Sequence, residues 1–442
     1  MRTALALSLL ALLGTPLLAP PALADGQRVR LDARLGHPAL AQGQKHTTWL
    51  KVGLTGFAME AKGERTPINV ALVLDKSGSM SGEKIMRAKE AARRAVDQLA
   101  ADDIVSIIAY DSTVRVLVPA TKASDKEAIR DGIDRITPGG NTALFAGVSK
   151  GADELRKFLD KERVNRVVLL SDGLANVGPQ SPGELERLGS RLAREGMSVT
   201  TLGLGLDYNE DLMVRLARAS DGNHVFVERA DDLARFFALE FGDVTSVVAQ
   251  DVVVTIECAE GIRPVRVLGR DADIVGQRVT ARIRQIVSER EKFVLLEVEV
   301  PPGEVGAKLD VARVQVSYGN LATRTTDTLD ARVGAEYVAD KAEMERQADK
   351  KVMVDAVQLI ATEKNRVALT LRDEGRQQEA QQVLQDNALF LQKNYRRWGT
   401  SSLKDLSKSN EDDAKNLDGE NWNRQRKKMR RVQYKFDSQQ SY

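Results

Sequence analysis

Ile68-Asn-Val-Ala-Leu-Val-Leu-Asp75-Lys-Ser77-Gly-Ser79-Met80 is the stretch that decides the architecture. Its apolar run, rich in Val and Leu, reads as a strand buried in a parallel sheet. The run stops at Asp75, after which oxygen-bearing side chains fall at every second position. Asp75, Ser77 and Ser79 therefore crown the carboxyl end of the strand, the edge at which open α/β sheets bind ligands. One carboxylate and two hydroxyls on a tight loop make a partial oxygen cage for a small hard cation, and Gly78 lets the backbone turn sharply enough for them to converge.

Working outward, strands and helices alternate from about residue 66 to 246, which implies βαβ crossovers and a mostly parallel, doubly wound sheet. Ile85, Ala88, Ala92, Val96 and Leu99 mark one face of a helix over residues 83–100. Further strands are expected at residues 103–110, 166–170, 199–204 and 224–227. Helices are expected up to residue 136 and over 143–159, 182–194, 209–219 and 231–241. Ser124-Asp-Lys-Glu127 and Ser181-Pro-Gly-Glu184 read as capping boxes.

The Asp-x-Ser-x-Ser loop after a hydrophobic strand resembles the first metal loop of the von Willebrand factor type A domain, also found in integrins. Gly139-Gly140-Asn141-Thr142 resembles the second loop of that family, and Ser171-Asp172-Gly173, after Arg166-Val-Val-Leu-Leu170, resembles the third. The order of alternating elements matches the whole domain. The resemblance implies a complete metal-ion-dependent adhesion site with Asp75, Ser77, Ser79, Thr142 and Asp172 as ligands. It also implies partner-binding loops around Gly78, Asn141 and Gly173. More loosely, the chain resembles bacterial exported proteins of this family, the inter-α-trypsin inhibitor heavy chains and the calcium-activated chloride channel regulators.

The chain has 442 residues, 42% of them hydrophobic, and a formal charge of +2, so two or three domains are expected and no nucleic-acid partner is indicated. Arg2 precedes an apolar run, prolines follow at 16, 20 and 21, and Ala22-Leu23-Ala24 ends the segment. This is the pattern of a signal peptide over residues 1–24, cleaved after Ala24. No other run approaches bilayer length, so an exported, periplasmic or secreted protein without a transmembrane segment is expected. Cys258 is the only cysteine, which excludes an intrachain disulfide and reads as a half-buried strand residue.

Residues 25–65 are strand-like but too few to enclose a core. Strand patterns return over residues 247–334, separated by turns at Pro301-Pro-Gly303 and Gly319-Asn320. Together they make a β-sandwich into which the 66–246 domain is inserted. Residues 335–398 read as a helical hairpin with its turn at Asp373-Glu-Gly375. Residues 399–442 read as a polar basic tail. Its run Arg424-Gln-Arg-Lys-Lys-Met-Arg-Arg431 is expected to be solvated or disordered, with contact to an anionic surface as the functional alternative. Trp398 and Trp422 suit either packing or an interface.

Two carboxylates and three hydroxyls would leave a bound Mg²⁺ electrophilic and at least one coordination position open. Mn²⁺ and Ca²⁺ accept the same oxygens. The resemblance implies that a Glu or Asp of a partner protein completes the coordination, which gives a metal-dependent adhesion or complex-assembly protein and not an enzyme. An envelope structural component acting through the helical region and tail is the alternative. A Mg²⁺-dependent hydrolase is the other rival. Gly203-Leu-Gly205 lacks the third glycine of a dinucleotide fingerprint, since position 208 is Tyr208. Gly147-Val-Ser149-Lys-Gly151 spells a nucleophile elbow but falls inside the expected 143–159 helix.

Overall fold

The first three strands, β1 (Val29–Leu35), β2 (Ala39–Ala41) and β3 (His46–Gly56), complete a core made mostly by the far end of the chain. The computed structural model describes residues 26–58, 65–417 and 421–440, so the expected signal peptide lies outside the described residues. Next comes the alternating domain: β4 (Ile68–Asp75), α1 (Glu83–Asp97), β5 (Ile104–Tyr110), β6 (Val114–Lys122), α2 (Lys126–Asp134) and α3 (Leu144–Arg156). It continues with β7 (Val164–Ser171), α4 (Pro182–Arg194), β8 (Met197–Leu204), α5 (Glu210–Ala219), β9 (His224–Val227) and α6 (Leu233–Thr245). The sheet order is β6-β5-β4-β7-β8-β9, with β6 alone antiparallel.

Every residue of β4, β5, β7 and β8 is buried. Such strands belong in the middle of a three-layer domain, where helices cover both faces. Side chains alternate across the pleat. Ile68, Val70, Leu72 and Leu74 of β4 thus face α1, α2 and α6, while Ala71 and Val73 face α3, α4 and α5. β4 sits between β5 and β7, which puts Asp75 at the middle of the strand-end edge.

Strands β10 (Val247–Cys258), β11 (Arg263–Leu268), β12 (Ala272–Val275), β13 (Arg278–Val287), β14 (Glu291–Val300), β15 (Lys308–Asn320) and β16 (Thr325–Val338) follow. One sheet runs β1-β3-β14-β11 and the other β12-β13-β10-β15-β16-β2. Leu50 pairs with Leu296 across the inserted domain, and Val52, Leu54, Val254, Ile256, Val294 and Val316 share the core between the sheets. Cys258 is buried at the end of β10, where burial pushes its thiol up to about 11.

Two local expectations change. The helix after residue 124 is capped by Asp125, whose side chain accepts from Ala128 N at 3.0 Å, and not by Ser124. Strand β6 had no counterpart in the sequence reading, because most of its residues are partly or fully exposed and Pro119 interrupts the pattern. The box at Ser181 and Glu184 is present in full.

The larger correction concerns residues 399–442, after the expected hairpin. A short helix, α7 (Lys341–Arg346), leads to the hairpin of α8 (Lys350–Asp373) and α9 (Gln377–Trp398), which turns at Gly375 with φ +81°. The expected polar tail is two more helices, α10 (Ser401–Lys415) and α11 (Trp422–Ser438), which pack on the hairpin. Their polar letters conceal a buried hydrogen-bond network. Asn365 Nδ2 donates to Asn410 Oδ1 and Asp413 Oδ2, both at 3.1 Å, and Asn387 Nδ2 donates to Asn410 Oδ1 at 2.9 Å. Gln433 Nε2 donates to Asn365 Oδ1 at 2.8 Å. Hydropathy cannot register a core held by amides. Trp422 and Trp398 pack into this bundle.

Helix α11 also ties the bundle to the inserted domain. Lys427, 2% exposed, donates to Tyr208 O at 2.9 Å and Glu210 Oε2 at 2.5 Å. Arg426 bridges Glu210, Asp211 and Asp373. Half of the basic run thus neutralises internal carboxylates and is neither disordered nor solvated.

Burial raises Asp413 from its ordinary 3.8 to about 6, against the pull of its hydrogen bonds from Asn365 and Gln425. The folded state then holds this proton more tightly than the unfolded one. Its contribution to stability is full below pH 3.8 and falls as pH rises to about 6, by about 3 kcal/mol in all. Thermal melts of Asp413→Asn against pH should lose that part of the slope between those limits.

Candidate metal centre

Asp75 ends β4 without any exposed surface, and its carboxylate is held by neutral donors. Ser77 N donates to Oδ1 at 2.8 Å, and Ser171 Oγ donates to Oδ2 at 2.6 Å. The Tyr110 hydroxyl stands 3.4 Å from Oδ2 and donates to Leu170 O at 3.2 Å. Burial pushes the Asp75 carboxyl upward; the Ser171 and Ser77 hydrogen bonds oppose that shift and Asp172 adds to it. Burial and Asp75 together keep the Tyr110 phenol protonated.

The other four expected ligands gather at the same edge. Ser77 Oγ and Ser79 Oγ are 3.1 Å apart, and Ser79 Oγ donates to Asp172 Oδ1 at 2.6 Å. A Cβ added at Gly173 would lie 3.2 Å from Ser79 Oγ, 3.3 Å from Thr142 Oγ1 and 4.0 Å from Ser77 Oγ. Three hydroxyls from two loops thus face one small space beside the third loop, with Asp172 adjoining. Thr142 is placed by Asn176, whose Oδ1 accepts from Thr142 N at 2.7 Å while Asn176 N donates back to Thr142 O at 3.1 Å. Gly78 N donates to Gly140 O at 3.0 Å, joining the first and second loops. Gly140 has φ +78°, and a side chain there would meet Ser112 Oγ at 3.1 Å. Only glycine fits that backbone and that approach. Asn141 is exposed beside it, with its N–H donating to Ser112 Oγ at 2.9 Å.

Several residues around the site were not read from the sequence. Ser171 and Asn176 position ligands, and Lys84 donates to Asp172 Oδ2 at 2.6 Å from the first turn of α1. Only the strand-end position of Ser171 gave a hint of this. Lys76 is paired with Asp111 across the β4 and β5 loops. Asp111 is held below the usual carboxylate range, by the Lys76 and Thr113 hydrogen bonds acting against burial. Asp207 is exposed. Leu174, 59% exposed, gives the rim an apolar point.

All five donors are oxygens, two of them carboxylates, which suits Mg²⁺, Mn²⁺ or Ca²⁺. Among the described residues no three His, Cys, Asp or Glu side chains converge as metal ligands. Ser149 lies inside α3 and not on a strand-to-helix turn, and Gly203 packs on the Tyr208 ring, so neither the elbow nor the dinucleotide motif has its structural setting.

The model of the von Willebrand factor type A domain family matches residues 69–238. This chain contains a von Willebrand factor type A domain. The uncharacterized protein sll0103 of Synechocystis is 27% identical over 275 residues, covering 60% of this chain and 64% of that protein. Human inter-alpha-trypsin inhibitor heavy chain H2 is 30% identical over 172 residues, 37% of this chain and 18% of that protein. The chain therefore spans less than two thirds of each of these relatives. A von Willebrand factor type A structure from Catenulispora acidiphila superposes with a TM-score of 0.69 at 17% identity, over 88% of this chain and 91% of that one. At that identity the likeness establishes the fold: a von Willebrand A sheet with the flanking strands and helices. Von Willebrand A domains in general bind a divalent metal at this edge and mediate protein interaction or adhesion.

Gly173 supplies a test of the geometry. Gly173→Ala places a methyl group in the space the three hydroxyls face, without demanding an unusual backbone angle. Isothermal calorimetry should find divalent-cation binding weakened by at least about tenfold, while the melting temperature in chelator stays near that of the parent.

Proposed function

We propose that this is an exported, non-catalytic binding protein that captures a carboxylate of a partner protein through a divalent cation, Mg²⁺ in the first instance. The observation carrying the reading is the meeting of Ser77, Ser79 and Thr142 hydroxyls beside Gly173, with Asp75 and Asp172 buried beneath them. Asp75, Ser77, Ser79, Thr142 and Asp172 would hold the ion directly or through water. With only two carboxylates among its donors, such an ion keeps a net positive charge and favours an anionic oxygen as its remaining ligand.

Each of these residues has a separable task. Ser171 and Tyr110 orient Asp75; Asn176 fixes the Thr142 loop; Lys84 shares Asp172. Gly78, Asn141 and Gly173 leave the rim low enough for a partner side chain to reach in. The sandwich, joined at the strand-start end through Thr66 and Asp243, then acts as a mount. Export is supported by the sequence pattern of residues 1–24, and no helix among the described residues is long and apolar enough to cross a membrane.

Calorimetry with Mg²⁺ and Mn²⁺ on the mature chain, followed by partner capture from the native envelope with and without chelator, tests this reading. Thr142→Ala and Asp75→Ala should each lower cation affinity, Asp75→Ala by more than about a hundredfold, since loss of a charged ligand is worth several kcal/mol. Capture should fail in chelator and in both variants. Capture that survives chelation would sink the proposal and shift attention to the helical region, while substrate turnover lost in Asp75→Ala would favour a hydrolase.

A further inference from the structure

The basic run at residues 424–431 splits into two faces. Lys427 and Arg430 face inward with Tyr434, whereas Arg424 and Lys428, four residues apart, are exposed, and Arg431, three residues further on, is half-buried beside them against α6. Their start lies at the strand-end edge that carries the metal centre. Lys84 Nζ, on Asp172, would be 3.8 Å from a Cβ on Gly205, and Leu206 O accepts from Asn423 Nδ2 at 2.9 Å, at the first turn of α11.

Counter-charges along this seam are few. Arg424 and Lys428 share a single carboxylate, Glu228, at 2.9 and 3.5 Å. Arg235 of α6 and Arg431 both stand on the Phe236 ring, at 4.7 and 5.2 Å from its centre. Neither has a carboxylate within ion-pair distance among the described residues. Nearby acids are otherwise engaged, Asp232 with Arg229 at 3.6 Å and Asp231 with Arg87 at 2.8 Å. Burial, and next the repulsion of Arg235, pulls the Arg431 guanidinium below its ordinary value, while Tyr208 and Asp232 act the other way.

We infer that the partner captured at the metal centre carries a run of acidic residues beyond the coordinating carboxylate, and that this run lies along the seam of α6 and α11 on Arg424, Lys428, Arg235 and Arg431. The inference rests on the metal-dependent reading for its first contact and adds the chemistry of the rest of the partner. A strip about 10 Å long on one helix face suits an extended peptide. An anionic membrane would call for a broad basic surface, and half of this run is turned inward.

The test uses the mature chain, a fluorescent polyglutamate peptide and a single-glutamate peptide of equal length. In Mg²⁺ at low salt, polyglutamate should bind more tightly. Arg424→Gln/Lys428→Gln and Arg235→Gln/Arg431→Gln should each weaken polyglutamate by about three- to tenfold. Single-glutamate binding and calorimetric Mg²⁺ affinity should not change. The first pair is exposed, so it remains informative even where Arg431→Gln disturbs packing. Equal polyglutamate affinity in both double variants overturns the inference while leaving the metal centre intact. Loss of binding to phosphatidylglycerol vesicles alone, with the peptides unaffected, overturns it in favour of a membrane. Polyglutamate binding that depends on the seam but persists in chelator and in Asp75→Ala keeps the seam and removes the metal-dependent reading.

Discussion

A carboxylate sealed from water at the end of the central strand is the condition that the rest of the site answers. Among the described residues no basic side chain lies against Asp75; a serine hydroxyl and a backbone amide donate to its carboxylate, with a tyrosine hydroxyl close by. Asp172, its neighbour across β4 and β7, is served differently, by Ser79 and by the ammonium of Lys84. Removing a charge from water costs several kcal/mol unless dipoles or ions replace the solvent. Two acids with a single ammonium between them are an arrangement that suits a divalent cation at this edge.

The position of this edge follows from how the domain is inserted. The chain enters β4 and leaves α6 at the strand-start end, where Thr66 Oγ1 donates to Val247 O at 3.0 Å and Asp243 pairs with Arg290 of the sandwich. All three ligand loops emerge at the other end. Anchorage to the sandwich and the candidate metal centre are therefore separated by the length of the strands, and the buried pair Arg166 and Glu240, with Gln285 of β13, fastens the anchored end. The rim keeps a free approach while the base is committed to the sandwich.

Much of this was legible in the letters because it depends on patterns local to a strand or helix. Four strands with no polar face, a run of oxygens after Asp75 and a capping box at Ser181 are short-range signals, and each corresponds to an element of the structure. What escaped depends on partners far away in sequence. Lys84 looks like any charged residue in a helix until Asp172 is placed beside it. Asn410 and Asp413 read as solvated because their hydrogen-bond partners, Asn365 and Gln425, lie on other helices. The weak strand β6 was lost for the opposite reason, since its exposed residues carry little of the periodicity that marks a strand. Tertiary pairing overrides composition most strongly where cores are polar.

The clamp of α11 on α5 has a consequence for how the molecule comes into being. Glu210 and Lys427 are 217 positions apart, so at about 5–20 residues per second the acid waits roughly ten to forty seconds during translation before its base is made. For that interval the strands of the inserted domain have been synthesised while one flank still lacks its cover. The end that carries the candidate metal centre thus precedes its own fastening, and α11 closes a structure that the earlier residues have already begun.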